Sequence, residues 1–174
     1  MKIAISGRSG CGNSTVTKLV AERLGLRVIN YTFKSIAEER GISFEEVCRL
    51  AEQDNEIDLE VDRKQIEMAR ESDCVLGSRL AIWLLREADL KVYLTAPVEV
   101  RAERIRAREG GSSEQVLEAT RARDKRDAAR YEALYGFDTE DFSFADLIID
   151  AAEHDQFEIA DLIVQTAERD NSRQ

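Results

Sequence analysis

The sequence predicts an α/β fold in which a central five-stranded parallel sheet is covered by helices on both faces. Two observations predict it. Short apolar runs suited to buried strands alternate with segments of helical periodicity along the 174 residues, and such alternation gives parallel pairing because each crossover returns the chain over the sheet. The first strand also runs into a glycine-rich turn, Gly7-Arg8-Ser9-Gly10-Cys11-Gly12-Asn13-Ser14-Thr15, that opens directly onto a helix.

Lys2 to Ser6 is apolar enough for a buried strand. The turn after it fits the phosphate-binding pattern of Gly, four residues, Gly, Lys and Ser or Thr, except that Asn13 stands in the lysine position. Glycines at 7, 10 and 12 let consecutive backbone N–H groups curl around an anion, and the next helix adds the partial positive charge of its N-terminus. Ser14 is placed to offer its hydroxyl to a magnesium ion, whereas Asn13 can donate a hydrogen bond to phosphate but brings no charge. A ligand-free glycine turn is the plainer alternative. With this loop the expected architecture is a three-layer fold of the P-loop NTPase type.

The helix from Ser14 to Leu24 turns Val16, Leu19, Val20 and Leu24 inward and stops at Gly25. Leu26 to Asn30 reads as the second strand, and Phe33 to Arg40 as a helix closed by Gly41. Ser43 and Glu46 form a capping box for a helix through Gln53. A longer helix starts at Asp54 or Asn55 and runs to about Glu71, with Ile57, Val61, Ile66 and Ala69 facing inward. Asp73 to Gly77 is the third strand, Leu80 to Glu87 a short helix, and Leu90 to Thr95 a fourth strand ending before Pro97, the only proline. Val98 to Arg108 is a charged helix ended by Gly110-Gly111, and Ser113 to Tyr135 is another. Ala145 to Asp150 is the fifth strand, followed by a helix near Phe157 to Glu168; Asp170 to Gln174 are expected to fray.

Residues 1–174 are long enough for one domain with a sizeable core, and no repeat or linker divides them. A net charge of −10 argues against an extended nucleic-acid surface, so no nucleic-acid partner is expected. Cys11, Cys48 and Cys74 lack metal-ligand spacing and read as free thiols of a reducing compartment. Neither a signal peptide nor a run of membrane-spanning length is evident, so a cytoplasmic, monomeric protein with no membrane partner is expected.

Ligands of such a sheet bind beyond the carboxyl ends of its strands. That draws attention to Gly7–Thr15, Tyr31–Lys34, Ser78-Arg79 and the chain after Pro97. Arg101, Arg104, Arg106 and Arg108 crowd into one predicted helix, and Arg121, Arg123, Arg126 and Arg130 into the next. Guanidinium groups closing over a transferring phosphoryl group would offset its charge, although glutamates at helical spacing would equally give a solvated ion-paired face. Asp54, Asp58 and Asp62 form a carboxylate stripe that could bond a base or sugar, or simply be an acidic surface. Arg79 is placed for an acceptor phosphate, its plainer reading being a surface ion pair. Trp83 reads as a core or pocket-wall residue, and His154, the sole histidine, as a solvent-exposed helix-start residue.

Several motifs in order and spacing resemble the cytidylate kinase family, especially its short archaeal-type branch, over nearly the whole chain. They are Asp54, Ile57-Asp58, Val61-Asp62 and Gln65; Arg79-Leu80-Ala81 with Trp83; Ala88-Asp89-Leu90-Lys91; Arg101-Ala102-Glu103-Arg104-Ile105 with Arg108-Glu109-Gly110; Arg130-Tyr131; Tyr135-Gly136-Phe137-Asp138; and Asp146-Leu147-Ile148-Ile149. The resemblance implies a nucleoside monophosphate kinase that moves the γ-phosphoryl group of ATP to CMP or dCMP with Mg2+. Under it, Gly7 to Thr15 bind ATP and Ser14 the metal. Helices over about 31–72 form the acceptor side, with Lys34, Asp54, Asp58, Arg79 and Asp127 as acceptor-binding residues. The region of about 101–130 is a helical lid, and Arg104, Arg123 and Arg130 act on the phosphates.

Three departures stand out. Asn13 replaces the loop lysine, where archaeal-type members usually carry Thr. Gly77-Ser78-Arg79 replaces the common Glu-Gly-Arg, and Asn30-Tyr31-Thr32-Phe33-Lys34 replaces a serine-rich turn and arginine, with Lys34 in the arginine's place. Another small P-loop kinase and a non-catalytic nucleotide-binding protein are the competing readings. A switch GTPase is disfavoured by the lack of DxxG and NKxD motifs.

Overall fold

A computed structural model describes residues 1–171. Five strands, β1 (Lys2–Gly7), β2 (Arg27–Ile29), β3 (Cys74–Gly77), β4 (Leu90–Thr95) and β5 (Leu147–Asp150), form one sheet in the order β2-β3-β1-β4-β5. Every pairing is parallel; Ile3 is opposite Val75 on one side and Leu90 on the other. The strand order reverses about β1, so the glycine-rich loop emerges at the switch point where open parallel sheets bind ligands.

The helices are α1 (Asn13–Leu24), α2 (Phe33–Arg40), α3 (Phe44–Gln53), α4 (Glu56–Glu71), α5 (Ala81–Leu84), α6 (Val98–Glu109), α7 (Ser113–Tyr135) and α8 (Gln156–Asn171). Side chains alternate across a strand, and β1 divides them accordingly. Ile3 and Ile5 join Val16, Val20, Ile159 and Ile163 in a core under α1 and α8. Ala4 faces a second core with Leu76, Trp83, Tyr93 and Tyr131 under α4, α5 and α7. A third, smaller core of Tyr31, Ile36, Val47 and Ile57 ties α2 and α3 to α4. The expected three layers are therefore present.

Several boundaries differ from expectation for physical reasons. In α1 the fully buried set is Val16, Thr17, Val20 and Ala21, with Leu19 and Leu24 packed only at the core's margin. The helix expected over Leu80 to Glu87 is one turn, because the chain must turn at Leu85 to bring Leu90 back beside Ile3. Ser43 caps α3 by accepting from Glu46 N, but the Glu46 carboxylate does not return the bond. It is held instead by Arg49 at 2.6 and 2.8 Å. A reciprocal box forms at α2, between Thr32 and Ser35. Of the expected frayed tail, Asp170 and Asn171 continue α8, while residues 172–174 lie outside the described residues. Among the described residues no helix is long and apolar enough to cross a membrane.

Candidate active site

The loop after β1 has the backbone its glycines foretold. Gly10 and Gly12 have φ of 88° and 93°, a left-handed region that disfavours side chains, and Gly12 leads directly into α1. Asn13 does not simply replace a lysine aimed at phosphate. One of its N–H groups donates to Gly7 O at 2.6 Å, closing the loop on its own base, while Oδ1 is buried without a hydrogen-bond partner. Ser14 and Thr15 are exposed, and the Ser14 hydroxyl makes no hydrogen bond to a described protein group. A free hydroxyl beside a phosphate cradle fits magnesium, which keeps most of its ligands as water and phosphate oxygen. Cys11 is packed inside the loop, where burial pushes its thiol up to about 11, so it fills space and is a poor nucleophile.

Two arginines of α6 grip this loop. Arg101 is only 2% exposed and gives a two-pronged ion pair to Asp124 of α7, at 2.6 and 3.2 Å. It also donates to Ser9 O at 3.2 Å and Ala96 O at 3.1 Å. Arg104, one turn on, donates to Gly10 O at 3.3 Å and to Ala151 O at 2.5 Å. The start of the expected lid is thus pinned beneath the loop. Arg8 reaches the other way, pairing with Glu140 and lying 3.8 Å from Asp124.

A cavity of about 1010 Å³ opens on the other side of Arg79, between α3 and α4 on one wall and α6 and α7 on the other. Arg79, Arg123, Arg126 and Arg130 line it, with Asp58 and Asp127 among them. Arg79 bridges the two halves, donating to Asp127 at 2.6 Å and to Ser9 Oγ of the loop at 3.0 Å. Arg130 pairs with Asp58 at 3.1 Å and lies 5.2 Å from the Tyr131 ring centre, leaving Nε buried without a partner. Arg123 has no ion-pair partner among the described residues; burial and then the nearby Arg79 push its guanidinium below the ordinary value. An anion entering here would relieve that imbalance. Burial pushes Asp58 up despite Arg130, and lifts Asp62 to about 6, although Asp62 accepts from Tyr135 Oη at 2.5 Å.

Not all expected site residues meet here. Lys34 is exposed and off the cavity wall, its backbone N bonded to Thr32 Oγ1. Asp54 is exposed and accepts at 2.5 Å from the backbone N of Glu56, the first residue of α4, and only Asp58 of the stripe reaches the cavity. His154 lines a further cavity of about 390 Å³ with Gly12, Thr15, Arg104 and Phe157, on the α8 side of the loop. As expected, it lies just ahead of α8 with its side chain 40% exposed, and it also borders this cavity. Arg101 and Asp124 were legible only as charges; their burial depends on α6 and α7 folding back over the loop. Gly77 is explained by packing: a β-carbon there would collide with Thr17, so the acidic residue common in the family has no room.

Comparison with known proteins gives the same picture. The chain matches the cytidylate kinase-like family over residues 2–153. It is 48% identical over 154 residues to Cytidylate kinase 2 of Borreliella afzelii, spanning 86% of each chain. It is 44% identical to a cytidylate kinase of Pyrococcus horikoshii, over 87% of this chain and 80% of that one. Among solved structures, shikimate kinase from Bacteroides thetaiotaomicron shares the fold, with a TM-score of 0.63 at 19% identity over 97% of this chain and 98% of that one. The loop, the arginine-lined cavity beside it and these relatives agree, and the chain belongs to the cytidylate kinase-like family.

Proposed function

We propose that this protein is an ATP- and magnesium-dependent cytidylate kinase, moving the γ-phosphoryl group of ATP to CMP or dCMP and releasing ADP with CDP or dCDP. The observation that carries the reading is Arg79, which touches Ser9 of the donor loop and Asp127 of the acceptor cavity through one guanidinium group. Two phosphate sites that share an arginine are close enough for direct transfer, and positioning with charge stabilisation is most of what phosphoryl transfer requires.

In this account Gly7 to Thr15 cradle the ATP phosphates through backbone N–H groups. Magnesium, held through Ser14, neutralises phosphate charge when bound. Arg104, Arg123 and Arg130 offset the charge that gathers on the transferring group. The Arg79–Asp127 and Arg130–Asp58 pairs hold these guanidinium groups in place, and the acceptor phosphate takes their remaining N–H donors. No dedicated general base is invoked. The region of about 101–130 closes as a lid from its anchor at Arg101, helices over about 31–72 hold the acceptor, and the enzyme is a cytoplasmic monomer acting on small nucleotides.

ADP release from ATP, measured across CMP, dCMP, UMP, AMP and simple hydroxylated metabolites, tests this. CMP-stimulated turnover is expected. Turnover only on another acceptor would favour a different small kinase, and binding of ATP without turnover on any acceptor would sink the enzymatic reading.

A further inference from the structure

We infer that Glu52 reads the acceptor's base and favours one bearing an exocyclic amino group, as cytosine does, over uracil. The inference rests on the proposed acceptor site. Four carboxylates line the large cavity, from Glu52, Asp58, Glu109 and Asp127. Three are occupied: Asp58 by Arg130, Asp127 by Arg79 and Glu109 by Arg108. The Glu52 carboxylate alone forms no hydrogen bond or ion pair with another described residue.

Its surroundings suit a flat ring. Cys48, Ala51 and Glu52 fall at i, i+3 and i+4 on α3 and so share the face that meets the cavity. Phe33, at the start of α2, brings an aromatic side chain to the same cavity. The segment ahead of Phe33 is held by Gln65, whose Nε2 donates to Tyr31 O at 2.9 Å. The phosphate-seeking cations Arg79, Arg123 and Arg130 come from the end of β3 and from α7, not from this wall. A nucleotide with its phosphate on the arginines would lay its base towards α3, ring against Phe33 and Ala51, edge towards Glu52.

A carboxylate is acceptor-only, so it pairs with the N4 amino group of cytosine. Uracil offers a carbonyl at that position. Two acceptors would then face each other, and that unpaired contact carries the discrimination.

The test compares kcat/KM for CMP and for UMP at saturating ATP in the full chain, for the wild type, Glu52→Gln and Glu52→Lys. CMP and UMP carry the same sugar and phosphate, so their ratio cancels general losses in folding, closure or phosphate binding. Gln can turn its amide to donate, and Lys can only donate. The CMP/UMP ratio should fall by about tenfold or more in Glu52→Gln and further in Glu52→Lys. A ratio within about twofold of wild type in Glu52→Gln, with CMP turnover retained, would overturn the inference. Glu52→Gln keeps the side chain's size on an exposed helix position, so it serves if Glu52→Lys fails to fold. Wild-type protein with no turnover on either nucleotide would remove the proposed function itself, a result distinct from turnover with an unmoved ratio.

Discussion

Replacing Arg101 with methionine should destabilise the protein by about 3 kcal/mol, because it removes one partner of a buried ion pair and strands the other. The guanidinium is 2% exposed and Asp124 15% exposed, and they meet at 2.6 Å. Removing one partner of such a pair costs roughly 3–5 kcal/mol. The lower end applies here because Arg8, 3.8 Å from Asp124, takes up part of the orphaned charge. For a chain of this length the loss lowers Tm by about 6–12 °C, readable by thermal unfolding. Arg101→Met/Asp124→Leu should recover much of it, since neither variant residue then leaves a buried charge. Arg101 also fastens Ser9 O, so KM for ATP should rise with the single substitution. A loss below about 1 kcal/mol, or strict additivity in the double variant, would refute the view that Arg101 clamps the phosphate loop to α7.

Arg79→Ala should lower kcat/KM for the acceptor by about 10–100-fold through loss of a charge-assisted phosphate contact, with a smaller effect on ATP through Ser9. Equal loss of both in steady-state kinetics would contradict that assignment. Asn13→Lys should change turnover by less than about tenfold, because the arginines already supply positive charge and the Asn13–Gly7 bond is lost. A rise of several orders of magnitude would show that the arginines do not compensate. Asp62, raised to about 6 mainly by burial, binds its proton more tightly folded than unfolded. Its contribution is therefore present at low pH and is lost as pH rises through about 6. Asp62→Asn should gain stability relative to wild type by about 1–2 kcal/mol between roughly pH 4 and pH 7. Paired thermal unfolding curves across that range would show a constant difference if the assignment is wrong.

Local chemistry was the legible part of the sequence. Gly10 and Gly12 take the left-handed backbone that the loop demands, Gly25 and Gly41 stop their helices, and the apolar run from Lys2 to Ser6 forms a buried strand. Those signals act within a few residues. Long-range contacts were not legible. Nothing local distinguishes Arg101, which is buried, from Arg108, which is 64% exposed and pairs with its neighbour Glu109. The arginine of one helix is an anchor only because α7 brings Asp124 beneath it. Asp54 and Asp58 share a stripe, yet Asp54 sits before α4 and accepts from its first backbone N–H, while Asp58 alone meets Arg130. Glu52 carried no motif at all. Its interest arises from being an unspent carboxylate on a wall that α2, α3 and α7 assemble from distant segments.

The destination of the γ-phosphoryl group distinguishes a cytidylate kinase from every other reading of this site. ATP labelled in its γ-phosphate, mixed with CMP, Mg2+ and the purified protein, should yield label in the β-phosphate of CDP, dependent on CMP and sharply reduced in Arg79→Ala. Label released only as inorganic phosphate, or retained in ATP at protein concentrations that saturate both nucleotides, would contradict a cytidylate kinase.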